Sequence, residues 1–251
     1  MLMTKITDAA IVTVRNSSTR LPNKSIMQIN NNIRTIDIVL ERAKKTSHSV
    51  IIATSTDKSD DIFESIAREH GISIFRGSLL NKIKRWFDCF NYFEVENALL
   101  IDGDDLCYSY DIGKRAMIEL KSQSMDMIIH PPDIITGLFT YAIKKSGIEK
   151  MFKIATNTQT NTDIITSYIE KADLQTNFVS LENYERNQNI RMTLDYKEDL
   201  LFFRKLYERN NIIENTKNIV DFLIDNENIV KINFHRQKDF LTNKEKFQDG
   251  L

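Results

Sequence analysis

Residues 11–24 read IVTVRNSSTRLPNK. Ile11 to Val14 are four apolar or β-branched residues in a row, the signature of a buried strand, and the run stops at Arg15. The polar loop that follows carries Arg15, Arg20 and Lys24, the hydroxyls of Ser17, Ser18 and Thr19, and Pro22 to stiffen its exit. Backbone N–H groups and hydroxyls can surround phosphate oxygens while the cations meet their charge, so the segment suits a polyphosphate. A solvated basic loop between a strand and a helix is the plainer alternative.

Outward from this segment, two periodicities alternate. Ile36, Val39, Leu40 and Ala43 form a helical stripe, and Val50 to Thr54 form a second continuous strand. A helix carrying Ile62, Phe63, Ile66 and Ala67 stops at Gly71, and Ile72 to Phe75 form a short strand. A helix over Leu80 to Phe93 buries Ile83, Trp86, Phe87 and Phe90, and Ala98 to Ile101 form the next strand. Uninterrupted apolar strands separated by amphipathic helices predict an α/β fold, a mainly parallel twisted sheet flanked by helices on both faces. The aromatics of the 80–93 helix sit at helical spacing, which favours core packing over a ligand box.

The second half is less regular. Met125 to Ile129 and Phe139 to Ile143 predict strands separated by Pro131 and Pro132, and Ile190 to Leu194 predict another. Glu198 to Arg209 and Asn218 to Asp225 predict helices. No low-complexity linker or internal repeat divides the chain. The expectation is a single domain over 1–230, with a nucleotide-binding half near 8–122, an acceptor half near 123–210, and 231–251 as a peripheral C-terminal segment or tail.

At 251 residues the chain can bury a large core, and its net charge of −1 gives no reason to expect nucleic acid as a partner. Cys89 and Cys107 form neither a close metal pair nor a disulfide framework, and the four histidines offer no zinc spacing. No segment approaches the roughly 20 apolar residues of a membrane span, and the N-terminus shows no secretory leader pattern. A soluble cytoplasmic protein is expected.

Ala98 to Ile101 run directly into Asp102, Gly103, Asp104 and Asp105. Three carboxylates within four residues repel one another unless solvent or a cation compensates them. Ligands of parallel α/β sheets gather outside the carboxyl ends of strands, and Mg²⁺ prefers carboxylate, water and phosphate oxygens. Asp104, with Asp102 as a further candidate, therefore reads as a metal ligand, an acidic surface turn being the alternative. Asp195 follows Leu194 in IRMTLDYKEDL and has two readings, a metal ligand or the N-cap of the next helix. Glu198 and Asp199 read as first-turn acids that favour the helix dipole.

In combination, VRNSSTRLPNK, VIIATSTDKSDD (50–61), ISIFRGS (72–78), DGDD (102–105) and MTLDYKEDL (192–200) resemble, in order, the motifs of the cytidylyltransferases that activate sialic, legionaminic and keto-deoxyoctulosonic acids. The likeness is to the spore-coat polysaccharide branch in particular. It implies a glycosyltransferase-A-like nucleotide-diphospho-sugar transferase fold, CTP as substrate, Mg²⁺, a small-molecule acceptor and a homodimer. By matching position it implies that Arg15, Ser17, Ser18, Arg20 and Lys24 hold the triphosphate, with Arg76 and Gly77 near nucleotide or acceptor. It implies Asp104 and Asp195 as Mg²⁺ ligands, and Arg20, Lys24, Asp104 and Asp195 as the catalytic set. Val14 and the Asn30–Arg34 turn depart from the family pattern. So do TDIITSYI (162–169), where Thr162 and Ile164 replace an Arg and a His, and GLFTYAI (137–143). Both of these later segments belong to the acceptor half and lose charge, so changes at Thr162 or Ile164 are expected to alter acceptor preference. The implied function is Mg²⁺-dependent transfer of CMP to a sugar acid or a phosphorylated or phosphonate small molecule, for surface polysaccharide biosynthesis. A nucleotide-sugar-dependent glycosyltransferase of similar fold and a degenerate nucleotide-binding paralogue are the alternatives.

Overall fold

The computed structural model describes residues 6–18, 20–30, 33–157, 161–162, 165–239 and 242. Strand β1 spans Asp8–Thr13, and the opening loop leads through a short hairpin, β2 (Gln28–Asn30) and β3 (Ile33–Arg34), into helix α1 (Thr35–Lys44). Then come β4 (Ser49–Ser55), α2 (Ile62–His70), β5 (Ser73–Gly77), α3 (Lys82–Phe93) and β6 (Asn97–Asp102). The sequence periodicity locates each of these main-sheet strands and helices to within a few residues. Gly71 ends α2 at φ 63, the left-handed conformation that glycine adopts without strain.

The second half adds α4 (Tyr110–Ser122), β7 (Met127–Ile129), β8 (Tyr141–Lys144), α5 (Lys145–Ile154), α6 (Thr166–Lys171) and β9 (Thr176–Phe178). Helices α7 (Lys197–Tyr207), α8 (Thr216–Asp225) and α9 (Glu227–Val230) follow. The sequence reading assigns no element to α4, α5, α6 or β9, although Ile112, Ala116, Met117 and Leu120 are buried at helical spacing in α4. The predicted strand at Ile190–Leu194 is corrected: the segment makes one isolated bridge, Thr136 to Arg191, and joins no sheet among the described residues. Its N–H groups are taken by loop carbonyls, Met192 N by Thr136 O and Leu194 N by Asp104 O, so the apolar run serves loop packing.

The described residues form a seven-stranded sheet in the order β5-β4-β1-β6-β8-β7-β9. The pairs β1–β4, β1–β6, β4–β5 and β7–β9 are parallel, while β8 runs antiparallel to both its neighbours. The sheet is therefore mixed, with parallel pairing from β5 through β4 and β1 to β6. Alternate residues of β1 feed two cores, Ala10 and Val12 on one face, Ala9 and Ile11 on the other. From β1 the chain moves outward to β4 and β5, then returns to place β6 on the far side of β1. Such a reversal opens a crevice at the carboxyl ends of the two strands. There Thr13 pairs with Asp102, which sets the basic loop after β1 beside the acidic turn after β6. Among the described residues, no helix is long and apolar enough to cross a membrane.

Candidate active site

The opening loop is pinned at its root. Asn16 N donates to Asp60 Oδ1 at 2.7 Å, and Asn16 Nδ2 donates to the Ser59 carbonyl at 2.7 Å. Asp60 is fully buried and also accepts from Ser55 Oγ at 2.5 Å, so the turn after β4 holds the start of the loop. Arg15 donates to the Leu79 carbonyl before α3. Ser17 is exposed, Ser18 Oγ accepts from Leu21 N at 3.4 Å, and Thr19 lies outside the described residues. Asn23 at φ 58 turns the chain back. Thr35 Oγ1 then donates to the Lys24 carbonyl at 2.5 Å, which fixes the backbone from which Lys24 reaches the strand ends.

Lys24 Nζ donates to Asp104 Oδ2 at 2.6 Å, to Asp195 Oδ1 at 3.1 Å and to the Leu194 carbonyl at 2.8 Å. Arg20 Nη2 adds a contact of 2.5 Å to Asp195 Oδ1. Gly103 makes the close approach possible. Its N–H donates to the Thr13 carbonyl at 2.9 Å, and a Cβ there would lie 2.9 Å from both that oxygen and Val14 Cβ. Leu194 N donates to the Asp104 carbonyl at 2.9 Å, fastening the late segment to the acidic turn. The structure thus gathers Arg20, Lys24, Asp104 and Asp195 into one contact cluster.

The electrostatics are asymmetric. Burial favours the neutral form of Asp195, but Lys24, Arg20 and Arg191 outweigh it and hold the carboxyl well below the usual carboxylate range. Burial raises Asp104 above its ordinary value; Lys24 opposes this, while Asp195 and Asp102 add to it. Lys24 loses hydration, yet Asp104 and Asp195 keep its ammonium protonated beyond the usual lysine range. Asp105, buried beside Asp104 and Asp102, is raised furthest, and Thr140 Oγ1 donates to it at 3.3 Å.

The N-cap reading of Asp195 is corrected. Its carboxylate takes side-chain cations, and the helix start is capped by Asp199, whose Oδ2 accepts from Asp195 N at 2.8 Å and Tyr196 N at 2.9 Å. Asp199 is in turn paired with fully buried Arg191 at 3.0 Å. Sequence reasoning passed over Arg191; its spacing in RMTLDYKED, with acids four and eight positions later, is the signal that was there. It also passed over Lys82, which is buried at the start of α3 and meets Asp102 at 2.7 Å.

Arg76 is not brought to the cluster. Its guanidinium donates to Glu64, Asp61 and the carbonyls of Ser55 and Asp57, bracing β5 against α2. Gly77 lies against α3, where a Cβ would sit 2.8 Å from the Phe75 ring and 3.2 Å from Arg85 Cγ. Thr162 is fully buried, accepting from Ile83 N at 3.1 Å and donating to Asn81 Oδ1 at 3.2 Å; it supports the start of α3 and has no surface to offer an acceptor. Ile164 lies outside the described residues.

Carboxylate oxygens of Asp102, Asp104 and Asp105 lie within 4.8 Å of one another, and Asp195 joins Asp104 through the shared ammonium. An all-carboxylate donor set that already gathers positive charge suits a hard divalent cation. The residues present therefore fit the Mg²⁺ that the motifs imply.

The chain is similar to known proteins in sequence and in fold. The chain is 26% identical to an uncharacterized protein of Methanocaldococcus jannaschii over 236 residues, 92% of this chain and 96% of that one. It is 25% identical over 209 residues to the spore coat polysaccharide biosynthesis protein SpsF of Bacillus subtilis, covering 79% of this chain and 85% of SpsF. Its fold is similar to that of a cytidylyltransferase from Leptospira borgpetersenii, with a TM-score of 0.79, 19% identity, and coverage of 90% of this chain and 97% of the other. The sequence profile described as Cytidylyltransferase matches residues 9–247, from the first strand to beyond the last described helix. This protein therefore belongs to the cytidylyltransferase family, enzymes that transfer CMP from CTP and release pyrophosphate.

Proposed function

We propose that this cytidylyltransferase is Mg²⁺-dependent and joins CMP to a sugar acid or to a phosphorylated or phosphonate small molecule, in surface polysaccharide biosynthesis. The observation that carries the reading is Lys24 held between Asp104 and Asp195 beneath the opening loop. Carboxylates for a metal and cations for a polyphosphate meet there at the crevice between β1 and β6. The similarity to the Bacillus subtilis spore coat polysaccharide biosynthesis protein SpsF favours the polysaccharide setting. A glycosyltransferase-A-like sheet, a nucleotide half near 8–122, an acceptor half near 123–210 and a homodimer belong to the same proposal.

An acceptor oxygen attacks the α-phosphorus of CTP, and the bond from that phosphorus to the bridging oxygen of the β-phosphate breaks. Pyrophosphate leaves opposite the incoming oxygen. A hydroxyl acceptor gives up its proton to water or to a carboxylate, whereas a phosphate or phosphonate attacks as an anion. Asp104 and Asp195, with Asp102 adjacent, would hold Mg²⁺, which when bound supplies charge neutralisation to phosphate oxygens. Arg15, Ser17, Ser18 and Arg20 border the triphosphate. Arg20 suits paired phosphate contacts, and Lys24 is a movable point charge that can exchange a carboxylate for a phosphate oxygen as leaving-group charge grows.

The test is a pyrophosphate-release screen with Mg²⁺, across four nucleotides, against sugar acids, sugar phosphates and phosphonates. CTP-selective release with one of these classes is the expected result. Transfer from a nucleotide sugar without pyrophosphate, or release that persists after divalent cations are chelated, would refute the reading.

A further inference from the structure

We infer that Arg191 is a positioning residue for nucleotidyl transfer: it holds Asp195 Oδ2 from the protein interior, so that Oδ1 is the oxygen turned to nucleotide and metal. The inference rests on the reading of Asp195 as a Mg²⁺ ligand. Arg191 is fully buried, and its Nη2 donates to Asp195 Oδ2 at 3.2 Å and to Asp199 Oδ2 at 3.1 Å. Its Nε donates to Asp199 Oδ1 at 3.0 Å, completing a two-point grip that fixes the guanidinium plane.

The two oxygens of Asp195 therefore have different surroundings. Oδ2 faces a buried cation that cannot leave. Oδ1 faces Arg20, whose side chain is 39% exposed, and Lys24, whose flexible stem can swing away. A carboxylate tethered at one oxygen cannot rotate freely when a ligand draws on the other. Such outer partners orient metal ligands and raise their affinity.

The tether is itself braced by the C-terminal segment. Asn233 Nδ2 donates to Asp199 Oδ1 at 2.9 Å and to the Arg191 carbonyl at 3.2 Å. Gln237 accepts from Arg191 Nη1 at 3.3 Å and donates to Thr136 Oγ1 at 2.9 Å. Residues 231–239, set aside in the sequence reading as periphery, thus reach the support of Asp195.

The experiment compares the full-length wild type with Arg191→Lys, Asn233→Ala and Asp195→Asn. Mn²⁺ binding is read by electron paramagnetic resonance in the presence of a non-hydrolysable CTP analogue. Analogue binding without metal and the melting temperature are measured in parallel. Arg191→Lys keeps the charge and loses the fork. It is expected to weaken Mn²⁺ binding by about tenfold, the lower end for an outer partner, with analogue binding in chelator unchanged. Asn233→Ala, which removes only the brace, is expected to weaken Mn²⁺ in the same direction by less, and it carries the test if Arg191→Lys does not fold. Wild-type Mn²⁺ affinity in a folded variant, while Asp195→Asn loses it, would overturn the positioning role alone. Equal Mn²⁺ affinity in wild type and Asp195→Asn would overturn the metal assignment of Asp195 and the positioning role with it.

Discussion

Asp104 and Asp195 share a single ammonium: Lys24 Nζ lies 2.6 Å from Asp104 Oδ2 and 3.1 Å from Asp195 Oδ1. The two acids come from distant parts of the chain, one from the turn after β6 and one from the approach to α7. Without a cation between them they would repel, and burial would drive protons onto them. The same lysine has a reason to leave when triphosphate arrives, because phosphate oxygens offer it more negative charge.

Asp104→Asn and Asp195→Asn should each reduce turnover far more than they reduce melting temperature. Each keeps the shape of the side chain and removes one charge from the cluster. The loss in transition-state stabilisation is expected to be about 3 kcal/mol, by analogy with the removal of one electrostatic donor from an oxyanion site. Near-wild-type kcat/KM for Asp195→Asn would remove it from the catalytic set.

Asp199→Ala should lower stability steeply and turnover with it, because it also releases the Arg191 that holds Asp195 Oδ2. It leaves Arg191 without its two-point partner and removes the cap from Asp195 N and Tyr196 N. Breaking a buried ion pair costs about 3–5 kcal/mol, so the urea midpoint should fall steeply. A midpoint within error of wild type would contradict the buried pairing.

Lys24→Met should raise the CTP concentration required and also lower turnover at saturating CTP. A contact that strengthens as charge develops on pyrophosphate contributes to the chemical step as well as to binding. Steady-state kinetics with varied CTP separate the two effects. Unchanged kcat and KM would reduce Lys24 to a bridge between carboxylates.

Thr162→Val should lower stability and leave acceptor preference as it was. The hydroxyl is buried and bonds Ile83 N and Asn81 at the start of α3, so its loss leaves a donor unsatisfied at a cost of about 1–3 kcal/mol. Thermal melts and a two-acceptor kinetic comparison check both halves. A changed acceptor ratio with an unchanged melt would restore the effect on acceptor preference expected from sequence.

Acid should weaken the fold through Asp37. Burial pushes Asp37 up, but His70 and Arg34 bring it down to about 2. A carboxyl lowered in the folded state contributes stability above its unfolded pKa of about 3.9, and that contribution is lost as pH falls through the folded value. The expected loss between about pH 4 and 2 is on the order of 2 kcal/mol, and Asp37→Asn should remove this part of the pH slope in urea titrations at successive pH values. An identical slope in the variant would place the acid sensitivity elsewhere.

The sequence by itself determined the parallel half of the sheet and the ends of its strands. Ile11 to Val14, Val50 to Thr54 and Ala98 to Ile101 are continuous apolar runs, and the helices between them bury regular stripes, so near-neighbour spacing suffices to read them. The basic loop and the acidic turn were legible for the same reason: each directly follows a strand. The tertiary structure alone decided that β8 runs against its neighbours, that Ile190–Leu194 joins no sheet among the described residues, and that Arg76 turns to Asp61 and Glu64. It also decided that Lys24 stands between Asp104 and Asp195 and that Asn233 supports Asp199. Local periodicity reports which face of an element is buried; it carries no information about which distant loop supplies the opposite charge. Those pairings exist only once the strand order has brought residues far apart in the chain to one edge of the sheet.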